Sequence, residues 1–302
     1  MSVAATTARD MTRSVSSGRR RDRNPGSLIF LVALWFSLFF GVMVLLVLIV
    51  DTAIQGAPRF DASLITDYAS RINPGASGFR AGILGSLWLM AFTALFAVPL
   101  GIAAALYLEE FADGNRWWNR LIELNLQNLA AVPSIVYGLL AVAVMALLGF
   151  SDTGIVLGGA IALALLILPV IIITTREAVR AVPREIREGS LALGATVWQT
   201  TWRQTLPSSV PGIATGTILG LSRAIGEAAP LIVVGLATAI RFDPEGALSK
   251  VTALPLQIYN LASDPQADLQ VAASAAIIVL LVMILGMNAL AIFIRNKFQR
   301  SW

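Results

Sequence analysis

The sequence has no cysteine and no histidine, and of its 22 basic residues only Lys250 and Lys297 are lysines. Each absence closes a class of chemistry. Without imidazole or thiolate there is no His-based acid–base step or triad, no thiol nucleophile, no disulfide and no zinc site of the usual ligand set. Neither lysine follows a Gly-x-x-x-x-Gly stretch, so no P-loop is present to cradle a nucleoside triphosphate. Charge is scarce as well. Asp, Glu, Lys and Arg supply 13% of the 302 residues, against about a quarter in soluble domains, while 57% are hydrophobic and the mean hydropathy is +0.76. Such a chain cannot build a water-facing surface all round, and lipid is the expected solvent for most of it.

What is present is a series of long apolar runs. A helix needs about 20 apolar residues to cross the hydrocarbon core. Five charge-free stretches qualify, at 24–50, 81–108, 124–151, 153–175 and 269–294, and a sixth at 204–240 is interrupted near its middle by Arg223 and Glu227. The expected fold is an all-α integral membrane protein of six transmembrane helices, with a first helix at 28–50 and a five-helix core over 81–294. With the amino terminus inside, sixteen basic residues fall on the inner side and five on the outer, which places both termini in the cytoplasm. The formal charge of +4 is then explained by inner loops and needs no nucleic acid. Residues 1–27, rich in Ser, Thr and Arg, read as a basic disordered tail. The 23-residue run that follows is longer than a signal-peptide core, so an uncleaved anchor is expected. Residues 295–302 read as the cytoplasmic carboxyl terminus.

Pro99, Pro133, Pro169 and Pro230 lie one each in the second to fifth spans. A freed carbonyl in lipid needs a neighbouring helix or a wet cavity, so these spans are expected to form the bundle interior. Gly212, Gly216 and Gly220 recur every four residues, with Ala224 and Ala228 continuing the row. That makes one flat helix face, suited to close packing and equally to lining a pathway.

The connection at 176–207 is too patterned for a plain loop. Pro183 suits a first helical turn, and Gly194 is placed to end that helix in the left-handed conformation. Thr196 and Gln199 fit a capping box that starts a second helix through Trp198 and Trp202, expected to stop before Pro207. With five Arg and two Trp, the hairpin could lie on lipid headgroups.

Glu188-Gly189-Ser190, then Gly194, then Gln204-Thr205-Leu206-Pro207 resemble the EAA loop of ABC-importer permeases, with Glu188, Gly194, Leu206 and Pro207 in register and Gly189, Ser190 and Gln204 departing from it. Three further stretches, Pro133 to Leu139, Arg223 to Pro230 and Leu254 to Asn260, are similar to those of PstA-type permease subunits of bacterial phosphate importers. The resemblance covers the chain from about Gly82 onward and implies a MetI-like type I importer fold in the inner membrane. It implies a cytoplasmic coupling helix at 176–207, with Glu188, Gly189, Gly194, Leu206 and Pro207 meeting a separate ATPase. That ATPase, a PstB-type dimer, would hold the ATP and Mg, and this chain would bind no cofactor or metal of its own. A PstC-type permease, an external PstS-type phosphate-binding protein and inorganic phosphate complete the implied partners.

Arg223 and Glu227 are four residues apart, a spacing that lets them pair on one helix face. One reading is an ion pair that merely permits insertion. The other is an anion path in which the guanidinium fork meets phosphate oxygens and Glu227 holds the fork when the path is empty. A permease for sulfate or molybdate, or a proton-coupled anion transporter, would share several of these features, although a proton relay would call for more intramembrane ionisable groups than these two.

Overall fold

The structure, a computed structural model, describes residues 25–70, 75, 77–113 and 116–298. Most of the basic tail read at 1–27 and the last four residues lie outside them. Among the described residues the regular structure is helical, apart from an isolated bridge between Ile155 and Lys250.

Two units are described. The first reaches Asp51 and holds most of α1 (Pro25–Gly56), whose Leu, Val, Phe and Trp side chains are exposed on every side. A helix apolar all round is one whose solvent is lipid or another apolar surface. In the second unit, α2 (Ser63–Thr66) precedes α3 (Arg80–Leu106), which ends in a π-turn over Tyr107–Phe111. Next come α4 (Trp117–Leu129), α5 (Ser134–Leu147), α6 (Val156–Arg180) and α7 (Arg184–Ala192). The chain continues as α8 (Val197–Thr200), a π-turn at Thr201–Thr205, α9 (Leu206–Ala224), α10 (Ala229–Val234), α11 (Leu254–Ala262) and α12 (Ala267–Phe298).

Among the described residues, four helices are long and apolar enough to cross a membrane by themselves, and a bent pair raises the number to five. The expected straight span at 124–151 is that pair: α4 and α5 meet at 118°. The segment is apolar as expected, but α4 carries Arg120, with Arg116 at its N-cap, beside exposed Trp117 and Trp118, the composition of a helix that lies in the interface. That leaves α5 alone to penetrate, at about 21 Å. The expected sixth span at 204–240 also fails as one helix, because α9 stops at Ala224 and α10 restarts only at Ala229, with Pro230 in its first turn. The coupling segment differs too. Residues 176–180 belong to α6, and the second hairpin helix does not stop at Pro207, because the π-turn at Thr201–Thr205 carries the backbone into α9. The missing Pro207 amide is accommodated where the ladder is already re-spaced, and Ser208 Oγ donates to Gln204 O at 2.6 Å.

The core is centred on α6. Two thirds of its apolar window is buried, and Val156, Leu163, Ile167 and Ile171 are sealed from solvent. Without a hydrophobic force between helices in lipid, close packing must do the work, and small residues permit it. A Cβ added at Gly216 would stand 2.1 Å from Thr174 Oγ1 and 2.5 Å from its Cβ, and one at Gly212 would stand 2.5 Å from Ala178 Cβ. Gly220 has room, its nearest neighbour being Ile171 at 3.5 Å. At the end of the bundle remote from the hairpin, Asp243 clasps Arg80 (2.6 Å to Nη2) and accepts from Tyr68 Oη at 3.2 Å. Hydrogen bonding from Arg80 holds the Asp243 carboxyl below its usual range.

The seam between α6 and α9 yields a graded expectation. Gly216→Leu should destabilise the protein by about 1–3 kcal/mol through overpacking, whereas Gly220→Ala should stay within about 0.5 kcal/mol of the parent. Thermal unfolding of the detergent-solubilised protein, followed by circular dichroism, reads the difference. Equal melting temperatures for the two variants would contradict the seam.

Candidate functional site

The residues singled out by sequence fall in three places. Arg223 and Glu227 stand where α9 breaks. The helix runs out at Ala224, the Gly226 and Glu227 amides bond back to Arg223 O and Ala224 O, and the two side chains meet at 3.6 Å across the turn. The pair therefore sits at the end of a broken helix rather than riding one face of a continuous one. Arg223 is 44% exposed and Glu227 23%, so this chain leaves the guanidinium half-uncovered. Neighbouring Ala224 and Ile225 are buried and share a small space with Leu89 and Met90, about 15 Å along α3 from Arg80, well inside the apolar zone.

The three signature stretches converge here. Gly138 lets α5 approach α10 so closely that a Cβ would stand 2.7 Å from Pro230 O. Pro255, in the first turn of α11, lines the same space as Ala224 and Ile225. Tyr137 Oη donates to Leu129 O at 2.6 Å, the carbonyl four residues before Pro133, and so stitches the bend between α4 and α5.

The hairpin is the second place. Gly194 is left-handed, with φ +85°, and ends α7. Thr196 Oγ1 accepts from the Gln199 amide while Gln199 Oε1 accepts from the Thr196 amide, a reciprocal capping box that opens α8. Glu188 and Gly189 lie on the exposed side of α7 beside Leu191, and Leu193 at the tip is 90% exposed. Leu206 and Pro207 sit at the junction of the π-turn with α9. Gly212, Gly216 and Gly220 form the third place, the seam described above.

Sequence reading missed a network that ties the hairpin to the bundle. Arg176 pairs with Glu109 (3.2 Å) and Glu123 (2.9 Å), Arg180 pairs with Glu109 (2.6 Å), and Arg187 on α7 pairs with Glu110 (3.1 Å). Arg187 also donates to Val179 O at 2.5 Å, and the Phe111 and Trp198 rings lie 5.9 Å apart. Adjacent Glu109 and Glu110, in the π-turn that ends α3, reach different arginines. The available signal was the Arg176–Arg180 spacing of one helical turn opposite two acids at the end of an apolar run.

A bundle of apolar helices, broken around an ion pair at membrane depth and ending in an exposed, salt-bridged hairpin, defines a membrane-embedded transport component. Residues 97–300 match the family of binding-protein-dependent transport system inner membrane components, and the chain belongs to that family. It is 33% identical to the phosphate transport system permease protein PstA of Mycobacterium leprae (strain TN), over 91% of this chain and 89% of that protein. Identity to the PstA protein of Yersinia pestis is 32%, over 92% of each. The fold is similar to that of a bacterial ABC transporter involved in import of the acidic polysaccharide alginate, with a TM-score of 0.60 at 16% identity over 95% of this chain and 100% of that one. It is also similar to that of the MetNI methionine ABC transporter, with a TM-score of 0.59 at 19% identity over 74% of this chain and 98% of the other.

Breaking the network should be costly because its charges are largely withdrawn from solvent, Arg176 being 12% and Glu109 13% exposed. Arg176→Gln should lower stability by about 3 kcal/mol, and adding Glu109→Gln should recover part of that loss. Denaturation of the single and double variants in one detergent measures the coupling. A double variant no more stable than the single would remove the pair from the structural account.

Proposed function

We propose that this chain is the permease subunit of an ATP-driven importer of inorganic phosphate. The observation that carries the reading is the likeness to phosphate transport permeases along nine tenths of both chains. The residues agree with it. A half-exposed arginine at membrane depth costs about 2.5–3.5 kcal/mol if it faces lipid, so its open side belongs against a second permease, where a path can be wet. Guanidinium offers a planar donor fork matched to phosphate oxygens. Glu227, at 3.6 Å, is near enough to hold that fork when the path is empty and loose enough to give it up, so that the passing anion exchanges partners with the carboxylate.

Energy enters through the hairpin. Exposed Glu188 and Leu193 face a separate ATPase, which binds ATP and Mg and hydrolyses the nucleotide; Gly194 sets the turn between the two short helices. Arg187–Glu110 and Phe111–Trp198 pass the displacement to α3, and Arg176 and Arg180 share it with α6. Rocking of α3, α6 and α9 then opens the path alternately to each side. A second, PstC-type permease and an external phosphate-binding protein complete the machine, and both termini lie in the cytoplasm.

Radiolabelled phosphate uptake by cells lacking other importers, normalised to membrane level, tests the path. Arg223→Gln should abolish uptake with assembly intact, and Arg223→Lys should restore little because the fork is lost. The Arg223→Gln, Glu227→Gln double variant should also stay inactive. Its recovery would mean that the pair serves insertion only. For coupling, Glu188→Lys should leave the protein in the membrane while ATP hydrolysis by the complex no longer responds to the loaded binding protein. Unchanged transport would sink that role.

A further inference from the structure

At the end of the bundle opposite the hairpin, a cavity of about 290 Å³ opens between the segment before α3, the segment after α10, and α11. Its lining includes Ser77, Thr238, Arg241, Gln257 and Asn260, and among the described residues it contains no carboxylate. The nearest acid in the sequence, Asp243, is already taken by Arg80 and Tyr68. Arg241 is exposed and has no carboxylate partner among the described residues.

Gln257 is the anomaly. It is 1% exposed, yet neither Oε1 nor Nε2 has a hydrogen-bond partner among the described residues. Its Oε1 packs against α3, where a Cβ at Gly82 would fall 2.2 Å from it. A buried unpaired amide is destabilising, and a leucine of similar volume would carry no such penalty. Beneath the same wall, buried Arg59 gives Nη2 to Ser77 O at 2.7 Å and keeps Nε unpartnered. Donors, hydroxyls and one unopposed guanidinium around a water-accessible hollow are the chemistry of an anion site.

We infer that this cavity binds a tetrahedral oxyanion at the outer mouth of the pathway, with Arg241 supplying charge and Gln257 an amide hydrogen bond, as a station separate from Arg223. That the anion is phosphate, and that this end faces outward, rest on the function proposed above.

The test is equilibrium binding of radiolabelled inorganic phosphate to the assembled permease complex in detergent, without external binding protein. An Arg223→Gln background removes the ion-pair site. Binding should persist in that background, and Arg241→Gln or Gln257→Leu should each weaken it roughly tenfold, the scale of a lost hydrogen bond to a charged ligand. A Gln257→Leu complex that is as stable as its parent but has lost affinity identifies a ligand-facing amide. Where either variant fails to assemble, Arg241→Lys and Gln257→Met enter the same assay under the same criterion. Affinity unchanged in the assembled variants overturns the site, as does weakened docking of the binding protein with phosphate affinity intact. Arg241-dependent binding of sulfate with none of phosphate would keep the cavity and sink the phosphate reading.

Discussion

A backbone carbonyl freed inside a lipid bilayer has no water to turn to, and this protein's design follows from that constraint. Its helices are interrupted by proline and glycine where a transport path needs irregular backbone, and at several of these places a side chain bonds a nearby carbonyl or the ladder is re-spaced. Tyr137 Oη bonds Leu129 O at the bend before Pro133, and Thr153 Oγ1 donates at 2.7 Å to Val234 O at the end of α10. Thr215 Oγ1 bonds Pro211 O at 2.9 Å, and Ser222 Oγ bonds Ile218 O at 2.6 Å just ahead of the break at 225–228.

Much of this architecture is legible in the amino-acid sequence. The coupling hairpin is legible because capping is local: Pro183, Gly194, Thr196 and Gln199 act within one turn of backbone, and nothing distant overrides them. The row of Gly212, Gly216 and Gly220 is legible for the same reason, since helical periodicity alone puts them on one face. Span geometry is not. Apolar content reports that a segment prefers lipid but is blind to its direction, so 124–151 looks like one crossing although α4 and α5 turn through 118°. The ion pair is evident in the sequence, but not the break that carries it, because the helix-ending conformation after Ala224 is set by packing of Ile225 and Pro230. The Glu109, Glu110 and Glu123 network escapes because acids at the ends of apolar runs look like ordinary loop charges until tertiary structure brings the arginines of α6 and α7 to them.

The two ends of the bundle use polar groups in opposite ways. At the hairpin end every arginine of the network meets an acid, and the charges serve as rigid struts. At the other end Gln257 is left without a hydrogen-bond partner and Arg241 without an acid, among the described residues, around an open hollow. Their unpaired state gives them the capacity to bind something transient. Arg223 lies between these extremes, held by Glu227 at the outer limit of an ion pair.

The π-turn at Thr201–Thr205 also sets phase. It inserts one extra residue into a path that would otherwise be a single helix from Val197 to Ala224, and each residue turns a helix by about 100°. Everything beyond it, glycine row and Arg223 included, is therefore rotated by that amount relative to Trp198 and the tip of the hairpin. Losing a single residue from this turn would leave composition, hydropathy and every motif almost untouched. It would nevertheless swing the glycines away from α6 and aim the arginine elsewhere. The length of this short segment behaves as a gear tooth that fixes which face of the membrane helix answers to the hairpin.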